Sequence, residues 1–300
     1  MTRQLPAIKY RLVSGFSLAG ALFAAFFFLP DAFMPAVLAL LGGLLAWEFF
    51  GLLAAGGLPN YRCLGTFGCV LWLLTTWFAG PDWNSAVMLL MIVGVLLRTF
   101  PQKNNPAPLN TIAGTVFGLL YAGVLWSAMA RLLLFPAEAY AHRFWTHIDW
   151  TGRCLLLYAV FMAKWTDIGA YMVGCLFGRH KLIPRISPGK SWEGVVGGLV
   201  WGTFCGCLLV WGVNRWAGGL FSALGMTWQR AIPIGLVVAA MGVVGDLAES
   251  LIKRATGVKD SGGFIPGMGG LMDVLDSILF TAPTLYVILV ALKSFPLPVP

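Results

Sequence analysis

Charge is what this sequence has least of. Asp, Glu, Lys and Arg make up 11% of its 300 residues, against 59% hydrophobic residues, and the mean hydropathy is +0.82. A soluble domain carries about a quarter charged residues. So little charge excludes an ordinary water-soluble domain and requires lipid as the solvent. The six cysteines, Cys63, Cys69, Cys154, Cys175, Cys205 and Cys207, form no CxxC pair, and Cys205 and Cys207 point to different helix faces. They read as small apolar residues, not as a zinc site or a disulfide framework. The GxxxxGK[ST] spacing of a P-loop is missing. So is any repeat of about 20–50 residues. The net charge of +8 suits anionic lipid or an anionic substrate. Nucleic acid is not expected as a partner, because no soluble basic domain is there to bind it. Met1 to Arg11 is short and basic, but the apolar run after it lacks a small-residue cleavage site and reads as a retained first helix.

What the chain has instead is apolar length. About nine runs approach the roughly 20 residues that a helix needs to span a bilayer. Their limits are 13–29, 34–55, 63–80, 85–100, 110–130, 152–177, 194–214, 231–250 and 273–293. The expected fold is therefore all-α, a polytopic integral membrane protein with about nine transmembrane helices. With the N-terminus inside, most basic residues fall on the inner side, including Arg62, Arg98, Lys103 and the group from Arg179 to Lys190. Arg98 snorkels at the end of a short run. Trp72, Trp77 and Trp83 read as interfacial anchors. Glu48 is an acid within an apolar run; it snorkels, bonds a neighbouring helix or serves a site. His142 and His147 are five apart, a poor spacing for a shared metal on one helix face.

Chemistry gathers in the second half. Lys164 and Asp167 are three apart and can pair on one helix face. Next comes Ser187-Pro-Gly-Lys-Ser-Trp-Glu-Gly194, in a loop that also holds Arg179, His180, Lys181 and Arg185. Small residues, hydroxyls and a lysine are what a phosphate-rich ligand needs. The densest stretch is Gly245 to Ser277. It holds Asp246, Glu249, Asp260, Asp273 and Asp276, five of the chain's twelve acids, with Lys253, Arg254 and Lys259 between them and a glycine-rich link from Gly262 to Gly270. Asp246 and Glu249 are three apart, and Asp273 and Asp276 repeat that spacing. Such residues are separated by ~4.5 Å along a helix axis and can share a divalent cation. Oxygen ligands with no His or Cys nearby indicate Mg²⁺. A metal, acids and phosphate-binding cations together describe phosphoryl or nucleotidyl transfer. The expected organisation is one membrane domain over 1–300, with scaffold helices over 1–150 and catalytic helices and motif loops over 151–300.

At these residues the sequence resembles the phosphatidate cytidylyltransferase (CDP-diacylglycerol synthase) family. The family pattern S-x-x-K-R-x4-K-D, a glycine-rich link, then P-x-H-G-G-x-x-D-R-x-D is met by Ser250, Lys253, Arg254, Lys259, Asp260, Pro266, Gly269, Gly270, Asp273 and Asp276. The upstream DxGAY and SPxKTWEG motifs are met by Asp167 to Tyr171 and Ser187 to Gly194. The departures are Met268 for the usual histidine, Val274 for the usual arginine and Ser191 for the threonine.

The resemblance implies transfer of CMP from CTP to phosphatidate, giving CDP-diacylglycerol and pyrophosphate. It implies Asp246, Asp273 and Asp276 as Mg²⁺ ligands, with Glu249 and Asp260 in or beside that set. Lys190, Lys253, Arg254 and Lys259 would hold CTP phosphates, and Ser187, Ser191 and Ser250 would donate to phosphate oxygens. Asp167 with Lys164 would form a back wall or a second cation site. Membrane lipids would surround the chain, and a homodimer is one arrangement open to it. The expected location is a bacterial-type inner membrane, with the N-terminus and active-site loops cytoplasmic. The alternatives are another CTP-dependent lipid enzyme, such as an ether-lipid CDP synthase or a polyprenol kinase, and an ion-coupled transporter.

Overall fold

The computed structural model describes residues 20, 24, 28–80, 82–103, 105–135, 148, 150–258, 261–263 and 269–294. Lys259, Asp260 and Met268 lie outside them, as do His142, His147 and most of the first predicted run. Helices fall on the other eight runs. They are α1 (Met34–Ala55), α2 (Arg62–Phe78), α3 (Trp83–Thr99), α4 (Pro108–Gly118), α5 (Leu125–Leu134), α6 (Trp150–Phe177), α7 (Trp192–Trp216), α8 (Leu220–Ala223), α9 (Trp228–Ala255), α10 (Met272–Leu275) and α11 (Ile278–Ser294). A π-helical turn, Leu119–Val124, joins α4 to α5. Among the described residues, five stretches are long and apolar enough to cross a membrane: Asp31–Ala55, Pro108–Leu134, Trp192–Trp216, Trp228–Ala255 and Met272–Ser294. The chain is an all-α integral membrane protein. One small hairpin is added, β1 (Lys181–Ile183) paired antiparallel with β2 (Ser187–Ser191), where the sequence reads as a loop.

The chain forms two compact units, residues 1–148 with 253–275 and residues 149–252 with 276–300. In the first, α1 buries Met34, Leu38, Leu45, Phe49 and Leu53. Phe49 stacks on Tyr121 with ring centroids 4.6 Å apart. Trp126 Nε1 donates to Leu38 O at 2.9 Å. Trp72 and Trp77 are buried in this core, and Trp72 Nε1 donates to Ser127 Oγ at 3.2 Å. They are packing residues, not the interfacial anchors expected; Trp83 is exposed. α1 ends where Gly57 takes φ +79, which lets Gly57 N reach Ala54 O and Leu58 N reach Leu53 O. That closure satisfies carbonyls the helix itself leaves open.

The second unit is built from α6, α7, α9 and α11. On α7 a glycine recurs every fourth residue, at Gly194, Gly198, Gly202 and Gly206, and all four are buried. A period of four keeps them on one face, and that face lies on α6. A Cβ added at Gly198 would sit 2.7 Å from Thr166 O and 2.9 Å from Ala170 Cβ. Thr281 Oγ1 on α11 donates to Ala159 O on α6 at 3.1 Å. Gly198→Leu is expected to lower the melting temperature of the purified protein, since overpacking costs about 1–3 kcal/mol. Val196→Leu, at a 57% exposed position on the same helix, serves as the control and should not.

The last predicted run is not one helix. α10 stops at Leu275 and α11 starts at Ile278, with Asp276 and Ser277 in the turn between them. The cause is local. Asp276 Oδ1 accepts from Ser277 N at 2.6 Å, and such a side-chain bond competes with the helical backbone.

Candidate active site

In the second unit the site begins on α6. Lys164 Nζ lies 3.9 Å from Asp167 Oδ2, the pairing that the spacing of three predicts. Ser277 Oγ also donates to Asp167 Oδ2, at 3.4 Å. After α6 the chain turns through Arg179 and His180 into the hairpin. Ile183 pairs with Ser187 and Lys181 with Ser191. Glu193 closes the base of this turn. Its carboxylate accepts from Arg179 N and His180 N at 3.2 Å and contacts His180 Nδ1 at 2.6 Å. Trp192 N donates to His180 O at 2.9 Å. Ser191 caps α7 by accepting from Gly194 N at 3.2 Å, and a hydroxyl that accepts there still has a proton to donate.

The hairpin delivers Lys190 to the acids. Lys190 Nζ lies 2.6 Å from Asp246 Oδ2 on α9, with the side chains 23% and 28% exposed. Ser250 Oγ, one turn further along α9, donates to Asp246 Oδ1 at 3.5 Å. Asp246, Glu249 and Asp276 form a cluster in which one carboxylate oxygen from each lies within 4.8 Å of the others. Glu249 and Asp276 are buried. Three anions this close repel one another unless cations or protons offset them, and Lys190 offsets one. A cavity of about 370 Å³ opens beside them, lined by Asp167, Tyr171, Gly189, Lys190, Ser191 and Asp246 among others. Three motifs far apart in sequence thus share one wall.

Asp273 stands in the first unit, in different company. Its Oδ1 accepts from Lys253 Nζ at 2.6 Å. Its Oδ2 accepts from Gly270 N at 2.7 Å, Ser261 Oγ at 3.0 Å and Ser261 N at 3.1 Å. Both side chains of the ion pair are part-buried, at 14% and 10% exposure. Lys253 and Arg254 occupy the last turn of α9. That helix closes as α1 does, with Gly257 at φ +71, Gly257 N on Arg254 O and Val258 N on Lys253 O. Val274 is half-buried on α10. Glu48 belongs to the same unit: its Oε2 accepts from Met272 N at 3.0 Å.

Sequence reasoning passed over Glu193, Ser261 and Ser277. Glu193 lies inside the quoted Ser187–Gly194 motif, and an acid in the first turn of a helix after a serine cap was the available signal. Ser261 and Ser277 gave none, since their hydroxyls meet partners more than ten residues away.

A family model described as the cytidylyltransferase family matches residues 9–292. The phosphatidate cytidylyltransferase of Haemophilus influenzae is 34% identical over 292 residues, covering 92% of this chain and 96% of its own. That of Pseudomonas aeruginosa is 32% identical over 283 residues, covering 92% and 94%. That of Staphylococcus aureus is 33% identical over 213 residues, covering 67% and 78%. With the motifs and their geometry in place, the chain belongs to the cytidylyltransferase family.

Proposed function

We propose that this protein transfers the cytidylyl group of CTP to phosphatidate, giving CDP-diacylglycerol and pyrophosphate. The observation that carries this is the cavity where Asp167, Lys190, Ser191 and Asp246 meet beside a three-acid cluster. A phosphate oxygen of the lipid attacks the α-phosphorus of CTP. The bond from that phosphorus to the bridging oxygen breaks, and its electron pair leaves with pyrophosphate. The attacking oxygen is already anionic at neutral pH, so no strong protein base is required. That makes the family's histidine, here Met268, dispensable as a proton acceptor. Lys190 would meet phosphate oxygens, and Ser191 would donate to them. Asp167 with Lys164 would form the back wall. For Lys253, Arg254, Lys259, Asp260, Asp273 and Ser187 the proposal rests on the family motifs.

Mg²⁺ fits the cluster. The donors are all carboxylate oxygens, two of the three acids are buried, and their oxygens are close enough to converge on one ion. Asp246, Glu249 and Asp276 would hold it, and once bound it would offset the charge that develops on the phosphates. The relatives favour neither a different lipid substrate nor a transporter.

The direct test is pyrophosphate release by the purified protein with CTP and phosphatidate in mixed micelles, with and without Mg²⁺. Release that needs both substrates and the cation is expected; none with phosphatidate would refute the reading. The full topology proposed is nine spans with the N-terminus and motif loops cytoplasmic. In a background without native cysteines, cysteines placed at 185 and 261 should label from the cytoplasmic side, and one at the C-terminus from the other. Labelling of 185 and 261 from opposite sides would refute this arrangement.

A further inference from the structure

Glu48 lies in α1, seven residues from its end, inside a run that is otherwise apolar. A carboxylate there is costly unless donors meet it. The donor it has is the main chain of a segment 224 residues away: Met272 N donates to Glu48 Oε2 at 3.0 Å. Gly262 and Gly270, the two ends of the glycine-rich link, approach the same carboxylate. A Cβ at Gly262 would lie 2.9 Å from Glu48 Oε1, and one at Gly270 would lie 2.5 Å from Glu48 Oε2 and crowd Ser261 Oγ. A side chain at either position would have to displace this carboxylate. The residue after Met272 is Asp273, and two of the residues that donate to Asp273, Ser261 and Gly270, are a neighbour of those glycines and one of them.

We infer that Glu48 is a positioning residue for Asp273: its carboxylate seats Gly262 and Gly270, the two ends of the glycine-rich link, and through Met272 it sets the orientation of Asp273. The inference deepens the proposed function and rests on it for the role of Asp273. What matters is the reach of the acceptor, not its charge. Glutamine keeps the length and one acceptor oxygen. Aspartate keeps the charge but is one methylene shorter, and withdraws the oxygen from Met272 N. Losing a bond between a charged group and its partner costs about ten- to a hundredfold when it is needed in the transition state.

The test compares Glu48→Gln and Glu48→Asp in the full chain, purified in detergent, by two readouts. The first is amide hydrogen exchange over the peptide covering Gly269 to Asp273. The second is kcat and KM with CTP and phosphatidate. Glu48→Asp should speed exchange by about tenfold or more and lower kcat by about tenfold or more, with each KM within about threefold. Glu48→Gln should stay within about threefold of the wild type in both. Wild-type behaviour of Glu48→Asp, or equal damage in both variants, overturns the inference. A wild type without cytidylyl transfer would instead overturn the proposed function, and the exchange readout would still decide whether Glu48 seats the link.

Discussion

Asp276→Asn is expected to remove turnover while leaving the protein folded. The side chain is 7% exposed and shares a cluster with Asp246 and Glu249, within 4.8 Å. Asparagine keeps the shape and keeps an oxygen to accept from Ser277 N, the bond that shapes the turn before α11. It removes one of three crowded negative charges, so repulsion falls and the melting temperature in metal-free buffer should hold or rise. The cost is functional. Removing one preorganised electrostatic contact from an active site typically lowers kcat by about a hundred- to a thousandfold. Pyrophosphate release, measured across a range of Mg²⁺ concentrations, checks the first half, and thermal unfolding the second. Near-normal turnover at low Mg²⁺ would take Asp276 out of the mechanism.

Asp273→Asn should do the reverse to stability. Asp273 is met by donors. Its two oxygens take Lys253 Nζ, Ser261 N, Ser261 Oγ and Gly270 N. An asparagine there must turn an amide toward one of these donors and removes the carboxylate that Lys253 Nζ meets at 2.6 Å. Removing one partner of a fully buried ion pair costs about 3–5 kcal/mol, and this part-buried pair should lose a fraction of that. The melting temperature in detergent should fall by several degrees, together with activity. Lys253→Met, Asp273→Asn and the double variant close a cycle, and the double variant should be more stable than the two single losses added together. A melting temperature equal to that of the wild type would show that this network holds nothing in place. Two carboxylates three residues apart are thus distinguished by their neighbours.

That distinction was not legible in the sequence. Asp273 and Asp276 have the same spacing as Asp246 and Glu249, and the spacing alone suggests that they act alike. The difference comes from the helix break at Asp276 and from donors in the glycine-rich link, neither of which leaves a periodic signal. The Asp246–Glu249 face and the Lys164–Asp167 pair were legible, because both depend only on helical geometry within one turn. The helices were legible for the same kind of reason: apolar runs long enough to span lipid leave little choice but helix. Trp72 and Trp77 were misread because an aromatic near a run's end is equally consistent with an interface anchor and with a core. The glycine series on α7 was legible but unread; its period of four marks a close helix contact as plainly as an apolar stripe marks a core. Glu48 could be seen as unusual, but its partner is set by tertiary folding.

The β1–β2 hairpin has a consequence for depth. A two-stranded ribbon has open edges, and unpaired backbone groups cannot face hydrocarbon. The hairpin must therefore ride in water or among headgroups. The contact of Lys190 with Asp246 then fixes the cavity to that level as a float fixes a line. A water-soluble nucleotide can reach such a chamber without entering the oil phase, and a lipid can present its phosphate there without leaving it. On the proposed function, the meeting of two substrates from two phases would follow from where a five-residue strand is able to lie.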